Sequence, residues 1–516
     1  MVNHILKRQI SRRTFMRNTA LAGLGVTFFR SGVAVAGAGI MGNNTDDLSF
    51  LAKRESDSLN HSVIIIGAGL AGLAAADELE KAGHSVTILE ARSYPGGRVR
   101  SVSDPFADGL YSEQGAVVYL DSYRMAIHYI DQFGLTRKNI VQPDMPSIYH
   151  IGGRRFSGNP TSITDWPYNL SDEESRLGLY GVIQKYLFET LPPEIYSPEA
   201  WNQSPLNELD KISFSKYMRK QGATDGAIHL IMDTFMFGWD PENSSALSIA
   251  AADIGIFPPG TGIFLLDGGN AELPKAMARS LSQKIRYGAK VESINMTDNE
   301  VDVTAKFGGT TIQMRADRVI STVPAPVLKS IEITPELPHP KRSAIESLPY
   351  HDIVRAQFQV RSPFWRKEGI SGSARTDLFE GRVDSQPYTI PEDKERRAII
   401  EGFFLGPDSA ELKGLSEHEA LQKAMEKLLP IHPDLQKYAE FGIVKDWGTD
   451  PYSLGGWSWP CPGYLTNHLL DLKKPFGRIH FAGEHTSVLR ATMEGALQSG
   501  VRAAREVDEQ IIKGRP

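Results

Sequence analysis

An α/β protein of two domains is predicted from three observations. The chain is 516 residues long, more than one ordinary core holds. A wholly apolar run, Val63-Ile64-Ile65-Ile66, is followed at once by Gly67, Gly69 and Gly72 at G-x-G-x-x-G spacing. A helical stretch over residues 70–82 and a second strand over 85–89 then lead to Glu90, 18 residues beyond Gly72. Strand, glycine turn, helix, strand and terminal acid in that order specify a Rossmann-like βαβ unit that binds a dinucleotide.

Each part has its reason. An apolar run of this length reads as a strand buried on both faces of a parallel sheet. Gly67 permits the tight turn, Gly69 lets the backbone approach a pyrophosphate, and Gly72 lets the helix pack against the strand. The amides at the helix start hold the diphosphate anion, and Glu90 bonds ribose hydroxyls. The glycines alone would serve packing equally well; the whole succession is what points to a cofactor.

The residues just past Glu90 select the dinucleotide. Ala91-Arg92-Ser93 leads into Gly96-Gly97-Arg98-Val99, and here the chain resembles the flavin-containing amine oxidase superfamily, which includes monoamine, polyamine and L-amino-acid oxidases and the lysine-specific histone demethylases. The resemblance implies FAD rather than NAD. It implies a Rossmann-like FAD-binding domain built from separated segments and an α+β substrate-binding domain. Ala91, Arg92, Gly97 and Arg98 would then line the cofactor, the glycine pair and Arg98 running along its diphosphate and flavin edge.

A hydrophobic content of 41% and a charged content of 23% are those of an ordinary globular protein. A net charge of −6, with no lysine or arginine run, gives no reason to expect nucleic acid. Cys461 is the only cysteine, so no intramolecular disulfide can form. The N-terminus differs in kind. Lys7, Arg8, Arg12, Arg13 and Arg17 precede the first acid, Asp46; residues 18–29 are uncharged and mostly apolar; and Ala34-Val35-Ala36 offers a small-residue cleavage site. Those 12 residues are fewer than the roughly 20 that span a bilayer, so they read as an export signal. Ser11-Arg12-Arg13-Thr14-Phe15-Met16-Arg17 looks like a twin-arginine motif, which implies the Tat translocase as a partner and a periplasmic or secreted product.

The expected organisation is a signal peptide at 1–36, a leader at 37–60, FAD-binding parts at 61–150, 258–330 and 446–516, and substrate-domain parts at 151–257 and 331–445. Residues 112–119 resemble the segment that runs under the flavin into the substrate cavity. In amino-acid oxidases it ends in an arginine that pairs with the substrate carboxylate; here that place is Val118, which cannot, and the reading moves toward amines. Arg124, on a helical stretch over 124–133, reads as a surface charge. Residues 171–256 read as mostly helical, with a capping turn after Ser171 and apolar residues at helical spacing over 209–218 and 227–237. Tyr217, Phe235, Phe237 and Trp239 read as core, and the block carries no metal signature. Pro258-Pro259-Gly260 breaks the helices. Alternation predicts a hairpin over Gly308-Gly309, residues 319–324 resemble the strand closing the second FAD segment, and the resemblance gives Val291 a backbone contact to adenine.

Within residues 348–367, Arg355 takes the place of a family lysine that reaches flavin N5 through a water. Arginine stays charged and brings a planar fork, so it should raise the flavin potential. Residues 450–459 resemble the stretch supplying one wall of the aromatic cage, with Trp457 or Trp459 in place of its tyrosine; either could equally be core. Monoamine oxidases hold the flavin there by a cysteine. Cys461 lies several residues further on, so noncovalent FAD is expected. Residues 478–486 and 491–496 match the C-terminal FAD motif, which gives Gly483, Glu484 and Met493 to the cofactor and puts Thr492 where a second cage tyrosine stands in monoamine oxidases. The helix starting there would steady the reduced ring through its dipole.

The resemblance implies an exported FAD-dependent amine oxidase or dehydrogenase. Hydride would leave the α-carbon of a small neutral amine for flavin N5, and the imine would hydrolyse to an aldehyde or ketone. Electrons would pass to O2 or to a periplasmic carrier. No metal is expected, and a homodimer is compatible with the sequence. Three alternatives stay open: an L-amino-acid oxidase anchoring the carboxylate from elsewhere, a carbon-carbon desaturase sharing the FAD motifs, and a flavoprotein without catalysis.

Overall fold

The computed structural model describes residues 50–51, 61–139, 145–160, 163–236, 240–257, 261–282, 285–377, 381–384 and 396–513. The signal, most of the leader, Phe237, Trp239 and the Pro258-Pro259-Gly260 break lie outside them.

The apolar run forms β1 (Ser62–Ile66), buried along its length and central in a five-stranded parallel sheet. Beside it run β2 (Ser85–Glu90) and β4 (Arg318–Ser321), with β3 (Arg286–Tyr287) and β5 (Ile479–Phe481) at the edges, in the order β3-β2-β1-β4-β5. Crossovers leave β1 in both directions, so a crevice opens at its C-terminal end. Helix α1 (Leu70–Lys81) starts there, and α3 (Met493–Ile512) packs on it. The two approach so closely that a Cβ at Gly500 would lie 2.1 Å from the Ala71 carbonyl oxygen. Helices α1 and α3, more than 400 residues apart in the chain, thus share one hydrophobic core.

A four-stranded sheet covers the opposite face. Val301–Phe307 and Thr310–Ala316 form the expected hairpin, Lys290–Met296 pairs on its other side, and Glu332–Thr334, just past the anticipated segment boundary, supplies the edge. A seven-stranded mixed sheet joins Ser147–Ile151 and Arg154–Gly158 to five strands of the region 353–446. Its strands Ile353–Val360 and Ala398–Leu405 are buried throughout and pair antiparallel, setting Arg355 opposite Phe403.

The 171–256 region is mostly helical. Ser171 and Glu174 form a capping box at the start of Asp172–Ile183. The stretch 209–218 is not one helix: Leu206–Asp210 ends before Ser213, whose hydroxyl accepts the Lys216 amide and starts Phe214–Lys220 afresh. Thr224 likewise caps Asp225–Thr234, which begins earlier than its apolar spacing suggests. Tyr217 and Phe235 are core. The short helix α2 (Ala246–Ala250) is fully buried. Among the described residues no helix is long and apolar enough to cross a membrane.

Candidate active site

One cavity runs from the C-terminal ends of β1 and β2 to Ala252, Asp253 and Ile256, just beyond α2. It is lined by Gly67, Gly69, Glu90, Ala91, Arg92, Gly97, Arg98, Val291, Gly483, Glu484 and Met493, and at its other end by Arg355, Trp457, Trp459 and Thr492. Of the residues the sequence assigns to the cofactor or the reaction, Gly72 alone is outside this lining. A Cβ there would lie 2.0 Å from the Gly67 carbonyl oxygen, and Gly67 itself has φ +105°, so turn and helix can approach only as glycines.

The dinucleotide end fits FAD. Helix α1 has Gly69 as its N-cap and no side-chain cap, leaving its first amides for an anion. A Cβ at Gly69 would meet nothing within 4 Å, so the backbone presents an open cradle. Glu90 accepts from the Ala68 and Arg92 amides at 2.6 and 2.7 Å, which fixes the turn on both sides. Burial pushes its carboxyl up against the pull of those amides. Each oxygen has a further lone pair for a ribose hydroxyl. Arg92 forms a two-pronged pair with Asp450 at 2.7 and 3.1 Å, and Lys445 reaches the same carboxylate. Burial opposes the Asp450 charge, but the bonds from Arg92 and Lys445 prevail and hold its carboxyl down at about 2.

Arg98 and Glu484 cross the cavity wall at 2.9 Å. Glu484 also accepts from the Ser458 hydroxyl and amide and from the Ala491 amide, so one carboxylate ties the Gly96-Gly97-Arg98 loop, the tryptophan segment and the α3 approach together. Thr492 is the N-cap of α3: its hydroxyl accepts the Gly495 amide at 2.9 Å and donates to the Leu489 carbonyl at 2.6 Å. It borders the cavity as a cap rather than as an aromatic wall.

The tryptophans owe their placement to strand alternation. Residues 457–459 pair with 349–351 through the Trp457 carbonyl and the Trp459 amide, so side chains 457 and 459 share a face while Ser458 points back to Glu484. His351 fills the angle between the indoles, its ring centroid 5.6 Å from Trp457 and 4.7 Å from Trp459. Burial keeps that imidazole neutral, well below its ordinary value. Trp457 stacks on Phe403 with ring centroids 6.3 Å apart, and the Arg355 guanidinium lies 5.2 Å from the same phenyl ring. Trp459 is more enclosed and donates to the Ser244 hydroxyl. Arg355 bonds Glu401 and the Gly115 carbonyl. Val118 lines the cavity too, whereas Arg124 is exposed on its helix, as expected. Cys461 is exposed and outside the lining.

Sequence reasoning missed Glu401, Phe403, Arg375 and Arg490, all placed at or behind the cavity wall. Two had a signal. Glu401 is the single acid in the otherwise apolar strand 398–405, and Arg490 the single formal charge between His485 and Glu494. A lone charge in such a setting needs a buried partner or a ligand.

A family profile described as flavin containing amine oxidoreductase matches residues 70–508. An L-amino-acid oxidase of Siganus canaliculatus is 27% identical over 482 residues, covering 90% of either chain. One of Bothriechis schlegelii is 28% identical over 457 residues, covering 86% of this chain and 90% of its own. Among solved structures, putrescine oxidase bound to putrescine superposes with a TM-score of 0.72 at 23% identity, covering 87% of this chain and 99% of its own. Cyclohexylamine oxidase from Brevibacterium oxydans IH-35A gives 0.70 at 21%, covering 88% and 100%. The fold is that of the two-domain amine oxidases, and the chain belongs to the flavin-containing amine oxidoreductase family. It is an FAD-dependent oxidoreductase acting on amines.

Proposed function

We propose that the protein holds FAD noncovalently and oxidises the C–N bond of a small amine, which enters between the flavin face and the wall formed by Trp457 and Phe403. The observation that carries this reading is the continuity of the cavity: the open cradle at Gly69 and the aromatic wall belong to one space, whose lining also includes Arg355. When bound, FAD supplies the hydride acceptor. The chain's own residues orient and desolvate. Trp457 and Phe403 present apolar ring surface that keeps water off the α-carbon. Trp459, tied to Ser244, closes the far side. The reacting form of the amine is the neutral one, because its lone pair must be free for hydride to leave the α-carbon, and hydrolysis of the imine comes after release.

Arg355 takes the place of the family lysine with its charge met by Glu401. The acceptor of the electrons is O2 or a periplasmic carrier. Export through the twin-arginine route completes the proposal, supported by Arg12 and Arg13 ahead of the apolar stretch 18–29. Cell fractionation of the full chain beside R12K/R13K tests it: the pair of substitutions should hold the protein in the cytoplasm.

Anaerobic mixing of the holoprotein with a panel of amines and amino acids tests the reaction. Bleaching of the flavin's visible absorbance by an amine, then recolouring in air, is the oxidase result. Bleaching that persists in air until a carrier is added assigns a dehydrogenase. Full FAD content with no bleaching by any nitrogen compound overturns the proposal in favour of carbon-carbon desaturation.

A further inference from the structure

Arg355 opens a buried polar row between the seven-stranded sheet and residues 113–115. Its guanidinium donates to the Gly115 carbonyl, and Gln357, two residues further along the same strand, donates to the Glu113 carbonyl at 3.1 Å. The Gln357 amide also donates to Glu401, the acid that holds Arg355. Arg355, Gln357, Glu401 and Glu113 are each at most 2% exposed. Gly115 lines the cavity, so the row starts at its wall and ends two residues behind it, at the Glu113 side chain. Gln357 Oε1 has no hydrogen-bond partner among the described residues, so the row is not saturated as a purely structural network would be.

The two acids of the row are held differently. Glu401 meets a guanidinium directly. The Glu113 carboxylate takes neutral donors, the Ser101 hydroxyl at 2.8 and 2.9 Å and the Asn270 amide at 2.7 Å. The cations that face it, Arg355 across the row and the exposed Lys275 on the helix Glu272–Ser280, act through their fields. Tyr111, with Asp267 beyond it, and Tyr119 flank it as neutral phenols, because burial and the Glu113 charge push their hydroxyls up. Burial outweighs the donors and the cations and pushes the Glu113 carboxyl up to about 7. Ser101 is half-buried; its hydroxyl donates to Glu113 and accepts the Ala271 amide at 2.9 Å, so it can pass a proton between solvent and the carboxylate.

Charge counting gives the consequence. With Glu113 ionised, Arg355, Glu401 and Glu113 sum to one negative charge. A hydride brings two electrons and one proton to the flavin and adds a further negative charge at this wall, which disfavours the carboxylate that has no cation of its own. We propose that Glu113 takes up one proton from solvent, through the Ser101 hydroxyl, each time the flavin is reduced, and gives it back on reoxidation. The hydride comes from the substrate carbon, which is oxidised, and the O–H bond on Glu113 forms with a solvent proton, so row and flavin together keep a constant charge. Glu113 touches neither cofactor nor substrate and acts through the shared field. The proposal is independent of which amine is oxidised, and it rests on the reading that the flavin ring lies beside Arg355.

The test is the midpoint potential of the holoprotein against pH, read by dye equilibration in steps from mildly acidic to mildly alkaline solution. In a two-electron couple each proton taken up with the electrons contributes about 30 mV per pH unit. The flavin's own proton supplies one such increment. Wild type should steepen to about 59 mV per pH unit just above about pH 7, over a window of roughly one unit or more, and then relax to about 30. E113Q should hold about 30 mV per pH unit through that window, and E113D should restore a steep region. S101A removes a donor to the ionised carboxylate and should move the onset to higher pH. A steep region that survives in E113Q assigns the second proton to another group and overturns the proposal. If E113Q does not hold FAD, wild type and S101A decide, and an onset that stays in place in S101A overturns it. A wild-type slope of about 30 mV throughout also overturns it when R355M lowers the potential; the same slope with R355M unmoved takes the flavin away from Arg355 and overturns both readings.

Discussion

Arg355 and Glu401 are enclosed in the cavity wall with side-chain exposures of 3% and 1%. This guanidinium is fixed by a carboxylate and by the Gly115 carbonyl, so its net push on a reduced flavin is small. Removing the acid should unmask the cation. E401Q is expected to raise the midpoint potential of bound FAD by on the order of 30 mV, equivalent to about 1.4 kcal/mol for a two-electron couple, and R355M to lower it, both read by dye equilibration. An unchanged potential in both variants would place the pair outside the flavin's field. At the same scale, the valine at 118, taken alone, argues for amines. One position cannot carry that inference, because a cation can reach a given point in the cavity from any element nearby, and linear order along one segment does not record it.

At the scale of elements, α3 begins at the cavity through a cap rather than through an aromatic side chain. T492A removes the acceptor for the Gly495 amide and should destabilise the protein by about 1 kcal/mol, while T492S should be nearly neutral. Thermal melts of the holoprotein with quantified FAD content would check this, and equal melting of both variants would show the cap to be redundant. The elements closest to the cofactor are the most legible in the sequence. Gly67 and Gly72 tolerate no side chain, and β1 and β2 lie where apolar runs end in a glycine turn and an acid. The helical block is less legible, because a hydroxyl cap such as Ser213 breaks a helix without disturbing its apolar spacing. The tryptophans stand out in the sequence, but their shared face comes from pairing with residues 349–351, more than a hundred positions earlier.

For the molecule as a whole, pH should act through two buried acids that stand just outside the cavity lining. Burial, against the opposing pull of the Asn270 amide and Ser101, pushes Glu113 up to about 7 from an ordinary 4.5. The folded protein therefore keeps a proton that the unfolded chain gives up above about 4.5. Stability is lost as pH rises from about 4.5 to 7 and levels off beyond. Glu494, also pushed up to about 7, acts in the same direction. E113Q cannot titrate, so its stability relative to wild type should improve by on the order of 2–3 kcal/mol between pH 5 and 8, while the Glu494 contribution cancels. Differential scanning calorimetry at the two pH values measures it, and a pH-independent difference would show that Glu113 is ionised in the fold throughout.

The packing of α3 on α1, with Gly500 against Ala71, has a consequence for synthesis. The cradle at Gly69 leaves the ribosome more than 400 residues before Gly483, Glu484 and Met493. A nascent chain stalled before residue 483 has a nucleotide-binding turn with one wall missing and the central sheet without β5. FAD capture thus waits until the chain through Met493 has been made, and a cell short of flavin would accumulate apoprotein rather than halted chains.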